Sequence, residues 1–142
     1  MCYSNGMMAT ARQTQGIRRF GAVFLFAEAV GVVLWWAMLL LLPQTRPLFM
    51  ARNAPDATLM AFGIADITLF AGAAGASAWG LWARRPWARM CLAVHAGAAG
   101  YAALYCWTLV ALTGGDNRLG ALLMTPSLVI PALLLRYVRD NE

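Results

Sequence analysis

Trp82-Ala83-Arg84-Arg85-Pro86-Trp87-Ala88-Arg89 divides two long apolar runs between Thr58 and Leu112. Each run exceeds the roughly 20 residues needed to cross about 30 Å of hydrocarbon. The first run holds a single charge, Asp66, and the second holds none. Pro86 has no amide hydrogen and disfavours helical backbone at Arg85. The first run is therefore predicted to end as a helix near Ala83, and a new helix to start around Trp87. Trp79, Trp82 and Trp87 flank the turn. Tryptophan favours the headgroup level, where its ring stays in apolar surroundings and its N–H stays wet. The stretch reads as a transmembrane helical hairpin, with Arg84, Arg85 and Arg89 setting its topology.

The same logic predicts four membrane helices over residues 20–42, 57–83, 87–112 and 119–138. Residues 1–19 show no periodic apolar face and read as a mobile cytoplasmic tail, and residues 139–142 as a second, short polar tail. Pro43 closes the first helix. The loop from Gln44 to Ala57 is the longest, and its Pro47-Leu48-Phe49-Met50 segment is suited to dipping into the interface. Asp56 is a candidate N-cap for the second helix. Pro126 and Pro131 are expected to interrupt the fourth by removing backbone donors. A basic segment before an apolar run resembles a signal peptide, but the first run is too long for an h-region and has no A-x-A site. The fold class is all-α, an integral membrane four-helix bundle.

Composition agrees. The chain has 142 residues, is 61% hydrophobic and only 12% charged, and carries a net charge of +5. Every basic residue is arginine. Residues 12, 18, 19, 84, 85, 89, 136 and 139 fall on one side of the predicted spans, and 46, 52 and 118 on the other. The positive-inside rule then places both termini in the cytoplasm, an N-in/C-in protein. Because the arginines sit at helix ends, they account for topology and give no reason to expect nucleic acid. The expected surroundings are the lipid bilayer, with a homo-oligomer or a larger membrane complex as partner.

The second and third helices carry small residues at helical spacing, Gly72, Ala76 and Gly80 on one and Ala93, Gly97, Ala96 and Gly100 on the other. Such faces let backbones approach closely where no hydrophobic force drives helices together. These two helices are expected to pack tightly.

Ionisable groups inside a span cost at least about 2.5–3.5 kcal/mol for acids and arginine, so they face protein or water. Here they are Glu28, Asp66 and His95. Counting from the predicted ends puts Glu28 and His95 at a common depth of about 12 Å, where they can pair. Asp66 lies nearer the opposite end, within reach of Tyr105. Tyr101 and Tyr105 are neighbours on one helix face. Trp35 and Trp36 sit deep, where bulk packing is expected. Two readings stand, interhelical hydrogen bonds on the one hand and a buried polar pocket or proton relay on the other. Cys2, Cys91 and Cys106 form no CxxC pair, and Cys91 and Cys106 lie about 22 Å apart on one helix, beyond disulfide reach. One histidine and scattered cysteines make no metal set, and neither metal nor cofactor is expected.

Phe26-Ala27-Glu28-Ala29-Val30-Gly31 resembles the first-helix glutamate segment of small multidrug resistance transporters, which are also four-helix proteins. That resemblance implies a glutamate that binds protons and cations alternately. It covers about six residues. The stretch from Gly80 to Tyr105, with WARRPWAR and Tyr-x-x-x-Tyr-Cys, looks like uncharacterised four-helix inner-membrane proteins of bacteria, and implies no activity.

With no catalytic motif, the sequence points to a non-enzymatic accessory or assembly subunit, or a small-ligand binding module. The alternatives are a proton-coupled transporter using Glu28 and Asp66, and a membrane enzyme acting on a lipid or quinone.

Overall fold

The computed structural model describes the backbone of residues 3–52 and 54–140, and the side chains of residues 15–52 and 54–139. Cys2 and Glu142 lie outside the described residues, as do the side chains of Arg12 and Asp140. The fold is all-helical. Four stretches are long and apolar enough to cross a membrane, Gln15–Leu41, Asp56–Trp82, Ala88–Thr113 and Arg118–Arg139.

The first helix is longer than its apolar run and extends from Tyr3 to Leu41. The polar stretch before Phe20 lacks an apolar face, yet it contains no proline and several good helix formers. Extending an existing helix avoids the cost of nucleation, so this segment continues the one behind it. The loop after Pro43 is ordered as a 3-10 helix, Pro43–Phe49. The Phe49 ring meets Trp35 edge-on at 5.4 Å. It joins a small core of Trp36, Leu39 and Leu59. Asp56 lies in the first turn of the second helix and does not cap it; Pro55 occupies the N-cap. The Asp56 carboxylate instead accepts from Arg46 Nη1 at 2.6 Å. Arg52 binds Asp116 across to the turn before the fourth helix, its backbone N–H donating at 2.9 Å. These two pairs tie together the connections at that end of the molecule.

The second helix is not uniform. Asp66–Gly72 is π-helical, between α-helical Gly63–Ala65 and Ala73–Trp82. At the far end its closure is well defined. The Arg85 N–H donates to Gly80 O at 2.8 Å and the Arg84 N–H to Leu81 O at 3.4 Å. Arg84 takes the left-handed conformation, with φ at 53°. This is a Schellman closure with arginine where glycine is usual. Pro86 then lies between the helices, and the third helix starts at Ala88.

The central core joins the first, second, third and fourth helices through Ala22, Leu25, Ala74, Ala78, Leu81, Ala88, Leu92 and Leu134. Small residues dominate it, which lets the backbones approach. The stripe that achieves this on the second helix is Ala74, Ala78 and Leu81. Gly72 is exposed, and Ala76 is half-buried. Gly80 does lie at a contact, since a Cβ there would meet the Ala88 Cβ at 2.7 Å. A Cβ at Gly97 would meet no neighbour within 4 Å, and one at Gly100 would lie 3.5 Å from Leu128 of the fourth helix. The third helix buries Leu92, His95, Ala99 and Ala103, a stripe rotated from the predicted one.

The fourth helix runs unbroken from Arg118 to Asp140 through both prolines. Side chains occupy carbonyls nearby, with Thr125 Oγ1 donating to Ala121 O at 2.9 Å and Ser127 Oγ to Leu123 O at 3.4 Å. Trp107 Nε1 of the third helix in turn donates to Thr125 Oγ1 at 3.2 Å. Outside, large apolar side chains such as Phe26, Leu34, Ile64 and Leu104 are exposed. So many exposed large apolar side chains are unfavourable in water and suit hydrocarbon.

The two glycines Gly80 and Gly97 should therefore respond oppositely to alanine. Gly80→Ala overpacks the hairpin and should destabilise by about 1–3 kcal/mol. Gly97→Ala should be neutral, or stabilising by up to about 1 kcal/mol through helix propensity. Thermal unfolding in detergent measures both. Arg84→Gly, which removes a Cβ from a left-handed position, should match or exceed the parent stability.

Candidate functional site

His95 is fully buried on the third helix, and the Glu28 side chain of the first helix is 7% exposed beside it. His95 Nε2 lies 3.0 Å from Glu28 Oε2. His95 Nδ1 lies 3.2 Å from the backbone oxygen of Phe70, on the second helix. One imidazole thus connects three helices. The Phe70 ring also meets the imidazole edge-on, with centroids 4.8 Å apart.

The chemistry of the partners settles the protons. A carbonyl oxygen only accepts, so Nδ1 carries a hydrogen and donates to Phe70. A proton also lies between Nε2 and Oε2. It belongs either to an imidazolium facing a carboxylate or to a carboxylic acid facing a neutral imidazole. Both forms are neutral overall, which is the arrangement least costly to bury. Removing that proton would leave the Nε2 lone pair against a carboxylate. Glu28 Oε1 is buried without a hydrogen-bond partner.

The π-helical turn explains why the Phe70 oxygen is available. A π turn widens the helix and shifts its carbonyls from the regular ladder. Phe70 O accepts from the Ala73 N–H and also from His95. The turn opens on a second intramembrane polar group, the half-buried Asp66. Asp66 Oδ2 accepts from Trp36 Nε1 of the first helix at 3.2 Å. To make that contact the Trp36 ring crosses Gly63, where a Cβ would sit 3.2 Å from it. Asp66 and Phe70 are about one helical turn apart, so the second helix is held at two successive levels, to the first helix through Trp36 and to the third through His95.

Glu28 and His95 thus form one pair, and Asp66 forms another. Asp66 is bonded to Trp36, whereas Tyr105 packs its ring on Phe62 at 5.2 Å. Tyr101 is 64% exposed and faces outward. Arg84, Arg85 and Arg89 are exposed around the hairpin turn. Trp36, for which bulk packing is the expectation from sequence, is a polar participant through its indole nitrogen. Its indole N–H is a donor with no water available at that depth, which requires an acceptor nearby. The Phe70 carbonyl has no sequence signal, since it depends on the local helix geometry. Among the described residues, no group of three His, Cys, Asp or Glu side chains is placed to hold a metal ion.

Two surface grooves are prominent. One, of about 450 Å³, is lined by residues including Arg89, Ala93 and Arg136. The other, of about 290 Å³, is lined by residues including Ile17, Phe20 and Tyr137. Neither is lined by Glu28, Asp66 or His95.

Substitutions at the pair should separate a hydrogen bond from a requirement for charge. Glu28→Gln retains a donor for Nε2 and should cost less than about 1 kcal/mol. Glu28→Ala leaves Nε2 unpaired and should cost about 1–3 kcal/mol. His95→Ala strands a buried acid and opens a cavity, and should cost about 3–5 kcal/mol. Reversible unfolding in mixed micelles ranks them, and ¹⁵N spectra of the parent should show His95 protonated at Nδ1.

Comparison of the chain with protein-family models, with curated proteins and with solved structures finds no match.

Proposed function

We propose that the protein is a non-enzymatic multi-pass membrane protein, an accessory or assembly subunit, built as a four-helix bundle whose buried polar groups lock its helices in register. The observation that carries this reading is the use made of the intramembrane polar residues. Glu28, Asp66 and His95 are each engaged by a neighbouring helix, and neither groove reaches them. Interhelical hydrogen bonds in membranes average only about 0.6 kcal/mol, yet they select partner and register. A chain with short connections and extensive apolar surface has its helix faces as its main means of contact with other proteins.

The orientation we propose is both termini in the cytoplasm, in an inner membrane. Arg89, Arg136 and Arg139 line one groove, so the basic hairpin turn and the end of the fourth helix share one end of the molecule. Ile17, Phe20 and Tyr137 line the other groove and bring the first helix to that end too. The positive-inside rule assigns that end to the cytoplasm.

One observation favours a second reading, proton-coupled transport. The Glu28–His95 bridge holds a proton, and Glu28 Oε1 is left without a partner. In that case the bridge would open to release the proton during transport. Asp66 takes no part in this pair.

Reconstitution separates the two. Under the structural reading, Glu28→Gln and Asp66→Asn preserve the fold, and sealed vesicles carrying the parent show the proton leak of empty ones. A proton flux in parent vesicles that Glu28→Gln abolishes would establish transport instead.

A further inference from the structure

We propose that the groove between the third and fourth helices binds one anionic phospholipid, its headgroup phosphate on Arg89, Arg136 and Arg139 and an acyl chain on the apolar floor. Three guanidinium-bearing residues line one groove of about 450 Å³. That size falls within the roughly 300–1,000 Å³ typical of small-molecule sites. The floor is formed by Ala93 and Ala96 on one helix and by Ala132 and Leu135 on the other. Alanine supplies little volume, so a channel remains between the two backbones.

Position matches the occupant. Arg89 lies in the first turn of the third helix, and Arg139 in the last turn of the fourth. Both are therefore at headgroup depth when the helices span a membrane. From Arg89 to Ala96 the groove descends about 10 Å along the helix, at 1.5 Å per residue. Charge is thus at the mouth and apolar surface lies below it, the polarity of a phospholipid. Guanidinium groups grip phosphate oxygens with paired hydrogen bonds, which suits a phosphodiester better than a diffuse charge would. The second groove serves as an internal contrast. It is lined by Ile17, Phe20, Ile130, Leu133, Leu134 and Tyr137, without a cationic side chain, and offers an acyl chain no anchor for its headgroup.

The test uses the full chain in dodecyl maltoside, with phosphatidylglycerol, phosphatidylcholine or inorganic phosphate added. Phosphatidylglycerol should raise the melting temperature by several degrees and appear as a bound lipid in native mass spectra. Phosphatidylcholine and inorganic phosphate should do neither. Each arginine replaced by glutamine should weaken apparent affinity by about fivefold, in line with about 1 kcal/mol per basic residue near anionic lipid. Ala93→Leu keeps all three charges but fills the floor, and should also weaken binding. Arg52→Gln, at the other end of the molecule, should leave it unchanged. Equal shifts with both lipids, an equal shift with inorganic phosphate, or full binding by the Arg89→Gln/Arg136→Gln/Arg139→Gln variant would each overturn the proposal.

Discussion

The contact between His95, Glu28 and the Phe70 carbonyl is the constraint around which the helices are set. In hydrocarbon, apolar side chains gain little by meeting each other rather than lipid. Helix association then depends on close backbone approach and on polar groups that have nowhere else to go. The core supplies the first through Ala74, Ala78, Ala88 and Ala99. The imidazole supplies the second by reaching two other helices at once. A rotation of any one of the three helices breaks a bond that water cannot replace. The Trp36–Asp66 bond joins the first and second helices directly, at a different level.

The π-helical turn at Asp66–Gly72 connects these two levels. It begins at the acid that holds Trp36 and includes the carbonyl that holds His95. An ideal α-helix would bond that carbonyl to the fourth residue on and present the following residues at a different angle. The irregularity is thus part of how the second helix serves both neighbours. It is tolerated because the Phe70 carbonyl keeps two partners, the Ala73 N–H and His95, and non-ideal backbone survives at membrane depth where its polar groups are satisfied.

The spans and their polar residues were legible because hydrocarbon imposes length and composition directly, as in the runs either side of Arg84-Arg85-Pro86. The Glu28–His95 pair was legible because depth along a helix is a simple count. What could not be read depended on rotation and on local backbone. The small residues of the second and third helices occur on nearly every face, so spacing alone did not separate Ala74 and Ala78, which are buried, from Gly72, which is exposed. Asp66 had two plausible partners at similar depth, and the choice of Trp36 over Tyr105 follows from Gly63 leaving room for the indole ring. The helical stretch before Phe20 carries no apolar periodicity and is continued by the helix that follows it. The groove bearing Arg89, Arg136 and Arg139 joins residues far apart in sequence, each of which read only as a topology signal.

A double-mutant cycle between Glu28 and His95 measures the bond between the first and third helices. Unfolding free energies of the parent, Glu28→Ala, His95→Ala and the double variant give the coupling between the two side chains. A direct bond predicts a favourable coupling of about 0.5–3 kcal/mol. Additive effects, with a coupling below about 0.3 kcal/mol, would contradict the claim that this pair locks the first helix to the third.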